Sequence, residues 1–182
     1  YTGAFSNANV GSGKTVNITS SYSGADAGNY TVTDQSSTTA DIAAKALTAT
    51  ASASNKTYNG STTAATTLTF TGLVGTETLG QTVGSTFDNK NVGSNKTVTV
   101  NSITLADGSN GGLAANYSIN AGQSSTAHIS PKVLTVSSNT ASNKIYDGSS
   151  SATVTVSLSG FIGSETLTYI NSSSFNNKNV GA

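Results

Sequence analysis

Residues 96–105 read "KTVTVNSITL", and this stretch decides the fold class. Val98, Val100, Ile103 and Leu105 are interleaved with Thr and Asn in a period close to two, and most of these residues are β-branched, as a half-buried strand requires. The same texture recurs at "ALTATAS" from Ala46, "TTLTFTG" from Thr66, "QTVGSTF" from Gln81, "NYSINA" from Asn116 and "STAHIS" from Ser125. Asn-Gly, Asp-Gly and Gly-Ser pairs punctuate these runs, and no segment carries a helical stripe. The chain is therefore expected to be all-β, with six or seven short strands between residues 45 and 131.

Just before the deciding stretch stands "FDNKNVG", Phe87 to Gly93, which recurs as "FNNKNVG" at Phe175 and as "FSNANVG" at Phe5. The repetition is general. "SNKTYNGSTTA" at Ser54 and "GLVGTETL" at Gly72 return 88 residues later as "SNKIYDGSSSA" and "GFIGSETL". "NYTVT" at Asn29 and "ADIAAKALT" at Ala40 return 87 residues later as "NYSIN" and "AHISPKVLT". Phe5 and Phe87 are only 82 apart, so the later copy carries five more residues, in the Gly-rich loop "DGSNGGLAAN" from Asp107; such insertions belong in surface loops.

The unit is about 87 residues long and divides the chain into the back half of one repeat (1–44), a complete repeat (45–131) and the front part of a third (132–182). We read the chain as an excerpt from a longer tandem array. A unit of this length and strand count suits a small antiparallel β-sandwich of immunoglobulin-like size; a solenoid is the alternative, although its rungs are normally much shorter. The expected core of the middle repeat is Leu47, Leu68, Phe70, Leu73, Val74, Leu79, Val83, Phe87, Val92, Val98, Val100, Ile103, Leu105, Leu113, Tyr117, Ile119 and Ile129. At roughly 1.5–3 kcal/mol per buried side chain, this is thin against about 1–2 kcal/mol per ordered residue, so neighbouring repeats are expected to help.

Composition narrows the function. The eight basic residues are all Lys and balance eight acidic ones, which leaves no basic stripe for nucleic acid. No apolar run reaches the length of a membrane span. Cys is absent, which argues against a disulfide-stapled domain and is compatible with export in an unfolded state.

Candidate chemistry is sparse. His128 is the only histidine, and its counterpart one repeat earlier is Asp41, so a strand residue is expected rather than a base or ligand. Lys56, Lys144, Lys90 and Lys178 with Glu77, Glu165 and abundant Asn are the ingredients of a Lys–Asn isopeptide bond, but surface lysines and turn amides explain them more simply. Calcium would need six to eight oxygens, more than the Asp107 and Asp147 loops offer. Tyr58, Tyr146, Tyr30 and Tyr117 recur at matching places and suit loop-tying tyrosines better than a stacking platform for glycans. Sequons at Asn17, Asn29, Asn55, Asn95 and Asn116 arise readily from such composition. No catalytic residue, cofactor or metal is expected.

The residues singled out are instead structural. They are Tyr58, Gly60, Tyr146 and Gly148 in the Tyr-Asn/Asp-Gly loops, Asn116 and Tyr117, and the Phe-x-Asn-x-Asn-Val-Gly phrase. In that phrase Phe87 and Phe175 are expected as core anchors, Asn89, Asn91 and Asn179 as turn-forming amides, Val92 and Val180 as second anchors and Gly93 as a flexible stop. The order of these motifs, including "GADAGNYTVT" from Gly24, resembles the YDG and MBG-type tandem repeats of large bacterial exoproteins of the filamentous-haemagglutinin kind. Tyr58-Asn59 departs from Tyr-Asp, and the Asp26-Ala27-Gly28 segment is rewritten around Asp107. The resemblance implies a non-enzymatic structural and adhesive module, the stalk or fibre of a secreted or surface-held adhesin or biofilm protein. Its implied partners are neighbouring repeats, further copies in fibres and surface glycans. A glycan-binding module acting by avidity is the alternative.

Overall fold

In the computed structural model, which describes residues 2–181, period-two sequence becomes strand almost wherever it occurs. The strands are β1 (Thr2–Phe5), β2 (Gly11–Thr19), β3 (Ser37–Ile42), β4 (Lys45–Ala46), β5 (Thr48–Ala53), β6 (Lys56–Thr57), β7 (Thr63–Ala64) and β8 (Thr66–Thr71). They continue with β9 (Leu79–Phe87), β10 (Gly93–Asp107), β11 (Tyr117–Ser118), β12 (Ser124–Ser130), β13 (Thr135–Ala141), β14 (Ser151–Ala152), β15 (Val154–Ser159) and β16 (Ser173–Ser174). Two single-turn 3-10 helices, Ala27–Asn29 and Ala114–Asn116, precede the Tyr30 and Tyr117 positions. The fold is all-β with open sheets.

Contacts divide the chain into two units. The first takes the chain to Ser54 and adds Thr63–Asp88 and Thr97–Thr126; the second takes Asn55–Thr62, Asn89–Lys96 and the chain from Ala127. In the first unit, β1-β2-β3 form an antiparallel sheet with Phe5 opposite Val16 and Asn17 opposite Ser37. Strand β9 pairs antiparallel with β10, from Leu79 opposite Asp107 to Phe87 opposite Val98, with one irregularity between Val100 and Ser102, and with β7 on its other edge. Strands β5 and β8 are antiparallel, and β4 and β11 parallel. The pairing of β5 with β8 shows why so polar a sequence folds. Thr48, Thr50 and Ser52 stand exposed opposite Thr71, Thr69 and Thr67, while Ala49 and Ala51 face Phe70 and buried Leu68 on the inner side. Small inner residues on one strand make room for large ones on the other.

The buried core of this unit is Leu47, Ala64, Leu68, Phe87, Val98, Val100 and Tyr117. Three expected members do not belong to it: Val74, Val92 and Leu113 are exposed. All three lie outside the ladders, in the turn after Gly72, the loop before Gly93 and the start of a 3-10 turn, where alternation along a strand no longer aims a side chain inward. Leu73, Phe70, Leu79, Val83, Ile103, Leu105 and Ile119 are half-buried. The expected strand at "NYSINA" shortens to two residues, because the 3-10 turn runs into it and Gly122 follows at φ +116°.

In the second unit β13 pairs with β15 and β14 with β16, both antiparallel, while β6 runs parallel to the end of β12 with Lys56 opposite Ile129. Ala127 and Ile129 are its buried apolar residues. Strand β13 is exposed at every position, and Phe175 is exposed rather than a core anchor.

One device recurs in both units with different chemistry. The Gln81 side chain accepts the Leu68 N–H at 3.1 Å and donates to the Leu68 carbonyl at 2.7 Å, acting as a substitute strand for one residue of β8. At the corresponding place in the second unit, the Tyr169 hydroxyl accepts from the Val156 N–H at 2.9 Å and donates to its carbonyl at 2.8 Å. Gln81→Ala strands both Leu68 backbone groups and is expected to cost about 1–3 kcal/mol in urea titration, whereas Gln81→Tyr retains most of that stability.

Candidate functional site

The repeated phrase is built around one Asn side chain. Asn89 Oδ1 accepts the Asn91 N–H at 3.0 Å, as Asn7 does from Asn9 at 3.0 Å and Asn177 from Asn179 at 2.9 Å. This is an Asx turn, in which a side-chain carbonyl replaces the backbone acceptor of a tight turn. The same Asn89 oxygen takes the ammonium of Lys96 at 2.8 Å, which satisfies a lysine that is otherwise buried; Lys14 makes the equivalent bond to Asn7. Gly93 then opens β10, so the phrase is the corner between β9 and β10. Phe87 is 3% exposed, but its counterparts Phe5 and Phe175 are 41% and 40% exposed. Val92 and Val180 are exposed and do not serve as a second anchor.

The Tyr-Asn/Asp-Gly loops also share one internal design. Lys56 Nζ bonds Asn59 Oδ1 at 3.0 Å and the Ser61 carbonyl at 2.6 Å, and Asn59 Oδ1 accepts the Ser61 N–H at 3.1 Å. Lys144 repeats this with Asp147 at 2.8 Å and the Ser149 carbonyl at 2.9 Å. Asp147 is held down to about 2, first by Lys144 and then by the Ser149 N–H and hydroxyl. Gly60 and Gly148 turn the chain at φ +76° and +78°, a conformation that costs a glycine nothing.

What the first loop presents is Tyr58, and what it meets is a glutamate. In the turn from Gly160, the Glu165 N–H bonds the Ile162 carbonyl at 3.2 Å. Glu165 Oε1 accepts the Tyr58 hydroxyl and, at 3.1 Å, the Lys90 ammonium, which lies 5.9 Å from the centre of the Tyr58 ring. A Cβ on Gly60 would come within 2.8 Å of Ile162 Cγ2, so only glycine lets the loop seat here. In the first unit the corresponding turn is Gly72 to Glu77, with Glu77 N–H on the Val74 carbonyl at 3.0 Å. Glu77 Oε2 accepts the hydroxyl of Tyr117, and that hydroxyl accepts the Val74 N–H at 3.0 Å. Asn116 beside it accepts the Val10 N–H at 2.9 Å and donates to Asn9 Oδ1 at 3.2 Å.

Each glutamate borders a shallow hollow. One of about 230 Å³ is lined by Tyr58, Val92, Lys132, Ile162 and Glu165, and one of about 240 Å³ by Val10, Lys45, Val74, Glu77 and Tyr117. Val92, Lys132, Ile162 and Glu165 are the repeat counterparts of Val10, Lys45, Val74 and Glu77, so the same place occurs once in each unit.

The chain matches the model of the YDG domain over residues 1–40, 43–127 and 130–182. It belongs to the YDG domain family. No curated protein and no solved structure matches this YDG chain. Both Tyr-Asn/Asp-Gly loops lie inside the matched segments, one of them seated on a glutamate and the other, with Tyr146, 58% exposed.

Other candidates take ordinary places. His128 lies exposed on β12, where its backbone N–H donates to Asn55 Oδ1 at 2.7 Å and its Nδ1 accepts the Asn95 N–H at 3.0 Å. Among the described residues no three His, Asp or Glu side chains converge as a metal site would need, and no helix is long and apolar enough to cross a membrane. The pairing of tyrosine with glutamate is not among the roles weighed above for Glu77 and Glu165. A signal was present: Tyr58 and Tyr146 recur at the same offset of 88 as Glu77 and Glu165.

The seat on Glu165 carries a pH signature. The Tyr58 hydroxyl first, and Lys90 second, lower the Glu165 carboxyl below its ordinary 4.5. A depressed carboxyl stabilises the fold above its unfolded value, and that contribution disappears as pH falls through the folded value. The Glu165 carboxyl carbon is expected to titrate by NMR below 4.5 in the native chain and to move back up in Tyr58→Phe. Lys90→Gln is expected to move it less, because that pair is 49% and 38% exposed and screened by solvent.

Proposed function

We propose that this YDG chain is a non-enzymatic structural and adhesive repeat module. Tandem β-sandwich domains of about 87 residues, immunoglobulin-like in size, form the stalk or fibre of a secreted or surface-attached bacterial adhesin or biofilm-matrix protein. The observation that carries the reading is where the recurring polar side chains go. Asn89 and Lys96 close a corner, Lys144 and Asp147 close a loop, and Tyr58, Lys90 and Glu165 join segments far apart in sequence. Side chains committed to one another in this way favour mechanical continuity over a site held open for a ligand. The partners are then neighbouring repeats of the same chain, other copies in a fibre and, at the ends of such a fibre, surface glycans.

The test is to express concatenated copies of the repeat and view them by negative-stain electron microscopy, with one copy screened on a glycan array. Contour length proportional to copy number, with no glycan bound, is the expected result. Saturable binding of one glycan class by a single copy, lost on Tyr58→Ala, would replace this reading by the avidity-based glycan-binding module.

A further inference from the structure

Two Asn-Gly pairs stand in the chain, Asn59-Gly60 and Asn110-Gly111. In such a pair an asparagine side chain loses its amide most readily, because glycine has no Cβ to hinder attack by its own backbone nitrogen. The structure gives the two pairs opposite settings. Asn59 is exposed, and its Oδ1 accepts the Ser61 N–H at 3.1 Å and the Lys56 ammonium at 3.0 Å. The first bond folds the side chain back over Gly60, whose own N–H bonds no group among the described residues. The second sets a full positive charge on the oxygen where negative charge develops during attack. Asn110 is held by its nitrogen instead. Its Nδ2 donates to the Thr76 carbonyl at 3.0 Å, and the Gly112 N–H two residues on is taken by the Ser109 carbonyl at 3.1 Å.

The loop one repeat later displays the product. Asp147 stands at the place of Asn59 and keeps the same partners, the Lys144 ammonium at 2.8 Å and the Ser149 N–H at 2.9 Å. Lys144 first, and then Ser149, hold that carboxyl down to about 2. A cradle of one ammonium and one N–H therefore grips a carboxylate more strongly than an amide, and Asn59 sits in the same cradle.

We propose that Asn59 is a self-modification site, converted to Asp by the loop that holds it. A solvent base takes the Gly60 amide proton, and the nitrogen attacks Asn59 Cγ. The C=O electron pair moves onto Oδ1, where Lys56 and the Ser61 N–H stabilise it. As that pair returns, the bond to Nδ2 breaks, and the proton taken from Gly60 ends on Nδ2, which leaves as ammonia. A five-membered imide then links residues 59 and 60, and water opens it. Addition of water at Cγ breaks the bond to the Gly60 nitrogen and gives Asp; addition at the backbone carbonyl gives the β-linked isomer. Lys56 and the Ser61 N–H polarise the Cγ oxygen, so Asp is the main product. The net reaction consumes one water and releases one ammonia. Tyr-Asn-Gly becomes Tyr-Asp-Gly, with Lys56 in the ion pair that Lys144 makes with Asp147. This chemistry goes beyond the structural and adhesive reading and does not depend on it.

Tryptic peptide mapping of the 182-residue chain, aged at mildly alkaline pH, tests the assignment, because Asn59 falls in the peptide Thr57–Lys90 and Asn110 in Thr97–Lys132. In the folded chain Asn59 is expected to gain one mass unit at least about fivefold faster than Asn110, and in urea the two rates converge. Electron-transfer fragmentation is expected to show mainly Asp at position 59 in the folded chain and a larger share of the isomer in urea. Lys56→Gln is expected to slow Asn59 by about tenfold, less than the roughly hundredfold of a water-excluded oxyanion donor because this loop is open to solvent, and to leave Asn110 unchanged. Lys56→Arg keeps the charge and most of the rate. A lysine that only stiffened the loop would act with the opposite sign, since its loss would free the side chain and speed the reaction. Equal rates at Asn59 and Asn110 in the folded chain, an Asn59 rate that Lys56→Gln leaves unchanged or raises, or a folded-state product that is mainly the isomer would each overturn the assignment. Contour length and glycan binding are read separately, so the functional reading stands or falls by itself.

Discussion

Phe87→Ala is expected to cost about 3–5 kcal/mol, the range for removing a buried aromatic ring and leaving a cavity. Phe87 is the last residue of β9, opposite Val98, and both are buried. The side chain fills space between strands that are already paired, so collapse around an alanine is limited. The informative control is the same letter in the same phrase. Phe175 is 40% exposed, with the Lys144 ammonium 6.0 Å from its ring centre, so Phe175→Ala is expected to cost about 1 kcal/mol or less. Hydrogen exchange of the β9 and β10 amides reads the first change, and those of β14 and β16 read the second. Equal losses at the two positions would mean that the phrase acts as a local motif, independent of what packs on it.

Gly112→Ala is the second change expected to be severe. The five-residue insertion lies in the loop from Asp107 to Asn116, and it is not a free appendage. Its backbone wraps the Thr78 carbonyl: a Cβ on Gly112 would sit 1.9 Å from that oxygen and a Cβ on Gly108 2.0 Å from it. The loop is tied there by Thr78 N–H on the Ser109 carbonyl at 3.1 Å and by the Ser109 N–H on Thr78 Oγ1 at 2.7 Å. An added methyl meets backbone, which cannot swing aside as a side chain end can. We expect Gly112→Ala to cost about 1–3 kcal/mol or more and to loosen the adjoining Glu77 and Tyr117 pair, visible as a fall of the Tyr117 hydroxyl from its raised pKa. Gly28→Ala is the contrast, since open space surrounds that position; it is expected to be neutral or to stabilise by about 0.4–1 kcal/mol through the unfolded chain.

These contrasts show what was legible before the structure. The alternation in residues 96–105 led directly to β10, and the Thr and Ala alternation after Ala46 to β5, because strand geometry imposes period two on any half-buried sequence. The Asn-x-Asn phrase announced a turn, and an Asx bond closes it in all three copies. The core was legible on the ladders, where Leu68, Val98 and Val100 are buried, and illegible off them, where Val74 and Val92 are exposed.

By itself the sequence determined the all-β class, the positions of the turns and the chemistry inside each loop, because these rest on bonds between residues a few places apart. Only the tertiary structure decided that Tyr58 meets Glu165 across 107 residues, that Phe87 is buried while Phe175 is not, and that Tyr117 meets Glu77. Identical phrases fold into the same local shape, but burial and partnership depend on which distant segment closes over them.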